Sequence, residues 1–157
     1  MVSVGDEAPD FTAPLANGDV AEITLSEAVA DGPVMLVFFP GAFTSVCSDE
    51  MATFDDRLAE FADAGTTVYG VSIDTPFAQN AFRDDLGLDF PLISDNDRDI
   101  IDAFDIAMDF TALGVYNLAK RAVFVVDEDR TVTYAWVSDD PGVEPDYDEV
   151  VGAVRNT

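Results

Sequence analysis

The run Val34-Met-Leu-Val-Phe-Phe39 passes directly into Pro40-Gly-Ala-Phe-Thr44-Ser-Val-Cys47. The first of these segments is apolar throughout and is bounded by Gly-Pro on one side and Pro-Gly on the other. Such a pattern is typical of a strand that is buried on both faces, so we place it near the centre of a sheet. The second segment then opens a helix, and a buried strand that leads into a long helix indicates an α/β fold.

The flanking sequence predicts a continued alternation of strands and helices. Apolar residues recur at helical spacing from Met51 to Phe61, which predicts a helix over 45–64 that Gly65 ends in a left-handed conformation. The remaining pattern predicts irregular structure with a turn over 9–19, strands over 20–25, 67–73, 91–94, 122–126 and 132–137, and helices over 77–86, 99–104 and 147–155. The last two strands form an antiparallel hairpin. This order describes a central mixed β-sheet with helices on both faces.

The chain length and the absence of repeats predict one domain over 1–157. The sequence has 157 residues, without a low-complexity tract or a linker rich in Gly, Pro or Ser. No apolar run approaches the roughly 20 residues that cross a bilayer. The first residues carry neither a basic stretch nor an apolar signal core, so we expect a cytoplasmic protein.

The charge balance excludes several classes of partner. There are 32 acidic and 7 basic residues, which give a formal net charge of -25. Nucleic acids and anionic membrane surfaces would repel such a chain, so we expect neither as a partner. Because the acidic residues are scattered along the chain, we interpret them as a halophilic surface, which high salt protects from self-repulsion by screening.

The chain contains one cysteine, Cys47, and no histidine. A structural zinc site and every mechanism that uses an imidazole base are therefore excluded, and so is an intramolecular disulfide. We expect neither a metal nor an organic cofactor. Cys47 falls in the first turn of the predicted helix, where backbone N–H groups and the helix dipole favour a negative charge. A thiolate is the nucleophilic form of cysteine, so Cys47 is the candidate nucleophile.

Three segments of the chain resemble a known family. Pro40, Thr44 and Cys47 read P-x-x-x-T-x-x-C, which is similar to the active-site signature of the peroxiredoxins, of the alkyl hydroperoxide reductase and thiol-specific antioxidant type. The stretch Val4–Phe11 resembles the family's N-terminal G-x-x-A-P-x-F pattern. The stretch Arg121–Asp127 resembles the strand that carries its catalytic arginine. The resemblance implies a thioredoxin-like fold over nearly the whole chain.

The resemblance also implies a role for each site residue. Cys47 attacks hydrogen peroxide or an organic hydroperoxide, while Arg121 holds its thiolate and polarises the peroxide. The Thr44 hydroxyl turns toward the sulfur and the peroxide, and Pro40 shields the pocket. Glu50, three residues after Cys47, orients the Arg121 guanidinium. Substrate binding is completed by the backbone N–H groups of Val46 and Cys47.

The product of this reaction is a sulfenic acid on Cys47. Many family members reduce it with a second cysteine, and this chain has none. We therefore expect a one-cysteine mechanism, in which an external thiol forms a mixed disulfide and regenerates the enzyme. The reductant is either a small-molecule thiol or a thioredoxin-type protein.

Simpler interpretations stand beside these roles. A lone cysteine is usually a small buried hydrophobe, Thr44 is a common helix N-cap, and Glu50 suits a first helical turn. Arg130 is the rival of Arg121, although its place in the hairpin turn predicts exposure. The alternative function is a non-catalytic thioredoxin-fold binding or chaperone-like module.

A homodimer is the expected assembly. Several apolar residues fall in predicted loops, where a role in the core is less automatic than on strands. Family members often use loops around the active site as a dimer interface, so we expect these residues to contribute to one. They are Phe43, Phe77, Met108, Phe110 and Tyr116.

Overall fold

A computed structural model describes all of residues 1–157. In chain order the elements are β1 (Thr12–Ala16), β2 (Val20–Thr24), α1 (Leu25–Ala28), β3 (Val34–Phe38), α2 (Ser45–Asp56), α3 (Leu58–Asp63), β4 (Thr67–Ser72), α4 (Pro76–Leu86), β5 (Leu92–Ser94), α5 (Asp99–Phe104), β6 (Ala107–Phe110), β7 (Val115–Ala119), β8 (Arg121–Val126), β9 (Val132–Ser138) and α6 (Tyr147–Arg155). No helix is both long enough and apolar enough to cross a membrane.

Seven of the strands form one mixed sheet in the order β2-β1-β5-β4-β3-β8-β9. Strands β3, β4 and β5 are parallel neighbours, whereas β8 pairs antiparallel with both β3 and β9. Strand β1 pairs antiparallel with β2 and β5. All five residues of β3 are buried. The apolar run therefore occupies the interior of the sheet, as its pattern predicted.

Consecutive residues of β3 point to opposite sides of the sheet, and all of them are apolar. Both faces of the sheet are therefore covered by helices. On one face, Phe38 packs against Phe104 of α5, with ring centroids 5.3 Å apart. On the other face, Val37 belongs to an apolar cluster with Phe54 of α2 and Val151 of α6. The prediction of a central mixed sheet with helices on both faces is confirmed.

The prediction of irregular structure over 9–19 is wrong for its central part. Residues of β1 pair with β2 over the whole strand, and Pro14 lies opposite Glu22. Proline argues against a strand because it lacks an N–H donor. Only Leu15 and Ala16 pair with β5 on the other side, so Pro14 lies outside that ladder.

The single helix predicted over 45–64 is two helices, α2 and α3, separated by Arg57. The Arg57 backbone has φ -104 and ψ 11, and its N–H donates to the carbonyls of both Thr53 and Phe54, each at 3.2 Å. The helical ladder changes at this residue, while the apolar spacing continues through it. Gly65 has φ 75 and ends α3 in the predicted left-handed conformation.

Besides β1, three elements were not predicted from the sequence. Helix α1 is a single turn, and β6 and β7 form a separate two-stranded antiparallel sheet. Gly114, with φ 67, lies in the turn between these two strands. Their pairing shifts register between Met108 and Phe110, which interrupts the alternation that reveals a strand. This β6–β7 hairpin forms one side of the site described below.

Candidate active site

Cys47 is the third residue of α2, and its side chain is 1% exposed. The ladder of α2 begins with the N–H of Ser48, which donates to the Thr44 carbonyl at 2.9 Å. The N–H groups of Ser45, Val46 and Cys47 precede that bond and have no carbonyl one turn earlier within the helix. The sulfur therefore lies where a helix start favours negative charge.

Arg121 lies beside this sulfur. Its Nη2 is 3.3 Å from Cys47 Sγ, and the residue is 1% exposed. The sheet explains this approach, because Phe38 at the end of β3 lies opposite Ala122 near the start of β8. The chain leaves β3 toward α2 at the same edge where Arg121 opens β8. Two residues that are 74 positions apart thus come into contact.

The Arg121 guanidinium is held by two further groups. Nη1 donates to Glu50 Oε1 at 3.0 Å. Nε and Nη2 donate to the carbonyl oxygen of Pro141 at 3.1 and 2.8 Å. The planar guanidinium is therefore fixed in orientation by a side chain of α2 and by the loop after β9. Sequence reasoning did not find Pro141, since its contribution is a backbone carbonyl that any residue carries.

Burial dominates the electrostatics of Glu50. The side chain is fully buried, and this burial raises the pKa of the carboxyl to about 8, although the positive charge of Arg121 opposes the shift. The second oxygen, Oε2, has no hydrogen-bond partner. Burial therefore favours the protonated carboxyl, the state in which the charge of Arg121 is left to face the sulfur.

Arg121 keeps its positive charge although the residue is buried. Burial lowers the pKa of the guanidinium, but the neighbouring Glu50 and Cys47 outweigh this effect, and the pKa lies above its ordinary value. A permanent positive charge with a hydrogen-bond donor 3.3 Å from Sγ stabilises a thiolate. The same group can also donate to an oxygen that approaches the sulfur.

Thr44, Pro40 and Val46 line a cavity of about 460 Å³ that contains Cys47 and Arg121. Thr44 occupies the N-cap position of α2, but its side chain accepts no helix N–H. Its hydroxyl instead donates to the Gly41 carbonyl at 3.0 Å. The structure thus brings all six sequence-predicted site residues to one place, with Glu50 behind Arg121 rather than in the cavity wall.

Much of the remaining cavity wall is apolar and comes from the β6–β7 hairpin. This wall was not predicted from the sequence, because the hairpin itself was not predicted. Phe110 lies at the end of β6, Leu113 in the turn, and Leu118 near the end of β7. Together with Val115 they line the cavity. The cavity therefore accommodates an apolar group larger than a peroxide oxygen pair.

Asp74 is a further cavity residue that sequence reasoning missed. It follows β4, which is parallel to β3, so the carboxyl ends of both strands meet at the same edge of the sheet. Its Oδ2 accepts hydrogen bonds from the backbone N–H of Ala42 at 2.8 Å and from the Ser72 hydroxyl at 2.7 Å. An acidic residue just beyond the carboxyl end of a buried strand is the signal that could have indicated this position.

The structure places Arg130, the rival arginine, at the other end of β8. It lies in the turn before β9, and its Nη2 forms an ion pair with Glu7 Oε1 at 2.6 Å. Its Nε donates to the Ala8 carbonyl at 2.9 Å. Arg130 therefore fastens the N-terminal segment, and Arg121 is the arginine beside the sulfur.

Four of the five apolar residues assigned to loops lie in regular elements. Met108 and Phe110 belong to β6, Tyr116 to β7, and Phe77 to the first turn of α4. Only Phe43 lies in a loop, where it is 57% exposed. The loop assignment is wrong for the strand residues because short strands show too few repeats for their periodicity to be recognised, whereas Phe77 begins the helix predicted over 77–86.

The comparisons with known proteins agree over most of the chain. The model of the AhpC/TSA family matches residues 4–135. The chain is 34% identical over 159 residues to the thiol peroxidase of Streptococcus gordonii, which covers 99% of this chain and 91% of that protein. It is 34% identical over 145 residues to the chloroplastic 2-cysteine peroxiredoxin of Chattonella marina var. antiqua, with 87% and 71% covered.

Solved structures give the same result for the fold. The crystal structure of peroxidoxin BcpB from Mycobacterium tuberculosis has a TM-score of 0.86 and 30% identity, and the match covers 99% of this chain and 98% of that chain. The AhpC structure from the same organism has a TM-score of 0.85 and 26% identity, with 99% and 98% covered. The expectation of a thioredoxin-like α/β fold is confirmed.

Proposed function

This chain belongs to the AhpC/TSA family and is a peroxiredoxin, a thiol-dependent peroxidase, and from that membership we propose that Cys47 is its peroxidatic residue. One observation carries the assignment. The sulfur at the start of α2 lies 3.3 Å from a buried, positively charged arginine, in a cavity open to a small molecule. The chain has no other cysteine, so the sulfenic acid that forms has no internal thiol to reduce it.

The first step is an in-line attack of the Cys47 thiolate on the terminal oxygen of a hydroperoxide. An S–O bond forms, the O–O bond breaks, and the departing oxygen leaves with the electron pair as an alkoxide or hydroxide. A proton from solvent converts that anion to the alcohol or to water. Arg121 and the first N–H groups of α2 stabilise the charge that develops on the departing oxygen, together with the Thr44 hydroxyl once it turns away from the Gly41 carbonyl.

An external thiol then restores the enzyme. Its thiolate attacks the sulfur of the sulfenic acid, hydroxide leaves and takes a proton from solvent to become water, and a mixed disulfide forms on Cys47. A second thiol attacks that disulfide, which releases the reduced Cys47 and an oxidised reductant. The open cavity supports access for a small-molecule thiol or for an extended segment of a thioredoxin-type protein. In both cases two thiols are oxidised for each peroxide reduced.

The apolar wall of the β6–β7 hairpin supports an organic hydroperoxide as the better substrate. Hydrogen peroxide uses only the polar end of the cavity, near Thr44 and Arg121. An alkyl or aryl group on the peroxide would also remove the surfaces of Phe110 and Leu113 from water. That additional contact favours the larger substrate over hydrogen peroxide.

The test measures how many oxygen atoms the protein gains from peroxide and compares the effects of replacing Arg121 and Arg130. The reduced protein is mixed with one equivalent of hydrogen peroxide, and thiol loss and intact mass are followed by stopped-flow and mass spectrometry. We expect the gain of one oxygen, far faster than with free cysteine, and no gain in Cys47→Ser. Arg121→Gln should slow the reaction by about two orders of magnitude, because a charged donor at the reacting atoms is lost.

Arg130→Gln is the matched control and should react at nearly the wild-type rate, since Arg130 binds the N-terminal segment at the other end of β8. A wild-type thiol no more reactive than free cysteine would favour the non-catalytic binding module instead. Equal slowing in both variants would show that Arg121 has no special role.

A homodimer and a cytoplasmic location stay predictions. The exposure of Phe43 and Phe77, at 57% and 75%, supports an interface at this end of the molecule. The Phe43 ring packs against Phe82 of α4, the helix whose first turn contains Phe77, so the two exposed rings belong to neighbouring elements. Light scattering in high salt measures the mass of the assembly, and a monomeric mass would contradict the predicted homodimer.

A further inference from the structure

Asp74 connects the central sheet to the loop that carries the active-site signature. Its Oδ2 accepts the backbone N–H of Ala42 at 2.8 Å, and Ala42 lies between Pro40 and Thr44. The same oxygen accepts the Ser72 hydroxyl at 2.7 Å. One carboxylate oxygen therefore joins the end of β4 to the segment that leads into α2.

The carboxylate is itself fixed by buried groups. Gln79, which is fully buried, donates from Nε2 to Ser72 Oγ at 3.0 Å and to the Ile93 carbonyl at 2.8 Å. The hydroxyl of Ser94 donates to the backbone carbonyl of Asp74 at 2.6 Å. Side chains from α4, β4 and β5 thus hold Asp74 in one position relative to the sheet.

The residue after Ala42 has a conformation that needs such support. Phe43 has φ 65, in the left-handed region that a bulky side chain rarely adopts. Such a backbone persists only where neighbouring contacts determine it. Two contacts flank this residue: the hydrogen bond from Ala42 to Asp74 on one side, and the Phe43 ring against Phe82, with centroids 5.3 Å apart, on the other.

The backbone of Phe43 sets the direction of everything that follows it. Thr44, the next residue, has φ -86 and ψ 150 and precedes the free N–H groups of α2. A rotation at Phe43 would therefore move the Thr44 hydroxyl and those N–H groups relative to an incoming peroxide. Arg121 would keep its place, because Glu50 and the Pro141 carbonyl hold it from other elements.

We propose that Asp74 is a positioning residue of the peroxidase reaction, which holds Phe43 left-handed through Ala42 and thereby aims Thr44 and the start of α2 at the peroxide. The proposal rests on the proposed role of Cys47. It assigns the effect to hydrogen bonding at one oxygen, not to the charge of the carboxylate. It also separates peroxide orientation, which needs Asp74, from thiolate stabilisation by Arg121, which does not.

Two reactions of the reduced thiol distinguish these contributions. Hydrogen peroxide requires both a thiolate and an oriented oxygen, whereas iodoacetamide is a neutral alkylating reagent that requires the thiolate. The second-order rate constant is measured for each reagent, and their ratio is compared among variants. A loss of stability or of thiolate would change both rate constants together, while misorientation changes only the peroxide reaction.

In Asp74→Ala we expect the ratio of peroxide to iodoacetamide rate constants to fall about tenfold or more, since small misplacements of reacting groups are costly. In Asp74→Asn the amide oxygen replaces Oδ2 and accepts both hydrogen bonds, so the ratio should fall less than twofold. Asp85→Ala, which removes an exposed acid on α4, is the control for charge and should match the wild type.

The proposal is overturned if the ratio of peroxide to iodoacetamide rate constants falls less than fivefold in Asp74→Ala. It is also overturned if this ratio falls as much in Asp74→Asn as in Asp74→Ala. If circular dichroism shows that Asp74→Ala does not fold, Asp74→Ser, whose hydroxyl is too short to reach Ala42, is judged by the same criteria. A wild-type protein that reacts with peroxide no faster than free cysteine would instead refute the proposed function.

Discussion

At the scale of single residues, the buried pair of Glu50 and Arg121 is the least ordinary feature of the site. Removing two charges from water costs more than their attraction returns unless the geometry is very good, so such pairs are poor stabilisers. Here the carboxyl avoids part of that cost by holding a proton, with its pKa raised to about 8 by burial. A protonated Glu50 still accepts a hydrogen bond from Arg121 and leaves the positive charge to Cys47.

This state of Glu50 predicts a pH dependence of stability. The pKa of the folded carboxyl, about 8, lies above its ordinary value of 4.5, so the folded protein binds the proton more tightly. The resulting stabilisation is complete below 4.5 and is lost as the pH rises to 8, by at most about 1.4 kcal/mol per pH unit. Urea unfolding of Cys47→Ser between pH 5 and 8.5 measures it, without titration of the thiol.

Glu50→Gln in the same Cys47→Ser background supplies the comparison. The free energy of unfolding of this variant should lack the component that falls with pH, because the amide does not titrate. Other groups contribute equally to both proteins and cancel in the difference. Parallel pH profiles would show that Glu50 is already ionised at neutral pH in the folded protein.

At the scale of elements, the β6–β7 hairpin and the start of α2 form two sides of one cavity with different chemistry. The helix start supplies polar groups close to the sulfur, and the hairpin supplies an apolar surface farther away. Phe110 is half-buried in this wall, whereas Tyr116 on the same hairpin is 55% exposed and does not line the cavity. We therefore expect selectivity among peroxides to depend on the hairpin and reactivity to depend on the start of α2.

Replacing Phe110 by Ala should lower the preference for a bulky hydroperoxide. We expect the ratio of kcat/KM for cumene hydroperoxide to that for hydrogen peroxide to fall about tenfold, since an aromatic contact with the apolar part of the substrate is lost. Tyr116→Ala removes an aromatic ring from the same hairpin and should leave the ratio unchanged. Steady-state assays with one thiol reductant measure both. A similar fall in the two variants would mean that hairpin stability, not contact with the substrate, controls the ratio.

At the scale of the whole molecule, the excess of negative charge has few internal partners. Of the 32 acidic residues, seven take part in ion pairs with a basic group or the N-terminus. Arg83 and Arg98 donate to backbone carbonyls instead of to carboxylates. Repulsion among the remaining acidic groups therefore opposes the compact state.

Salt should stabilise this protein. Screening shortens from about 10 Å at 0.1 M to about 3 Å at 1 M ionic strength, which suppresses repulsion between surface charges. The midpoint of urea unfolding should rise markedly between 0.05 and 1 M potassium chloride. Sucrose at matched osmolality is the control for solvent exclusion and should give a smaller rise. Maximal stability in salt-free buffer would contradict the interpretation of the surface as halophilic.

The central strand, the helix that carries Cys47 and the terminal helix α6 could be predicted from residue patterns because each depends on neighbours along the chain. A continuous apolar run, a helical repeat and a left-handed Gly65 are local features. The pairing of Cys47 with Arg121 was predicted from the resemblance to a known family, because the residue pattern alone left Arg130 as an alternative.

Local pattern did not reveal β1, the break at Arg57, the β6–β7 hairpin, or the contacts of Asp74 and Pro141. Each of these depends on which strands and loops become neighbours in space. The site combines a helix start, the first residue of an antiparallel strand, a backbone carbonyl after β9 and an acid after β4. Only the packing of the sheet brings these four together, because the free energy that selects their arrangement comes from contacts between segments far apart in the chain.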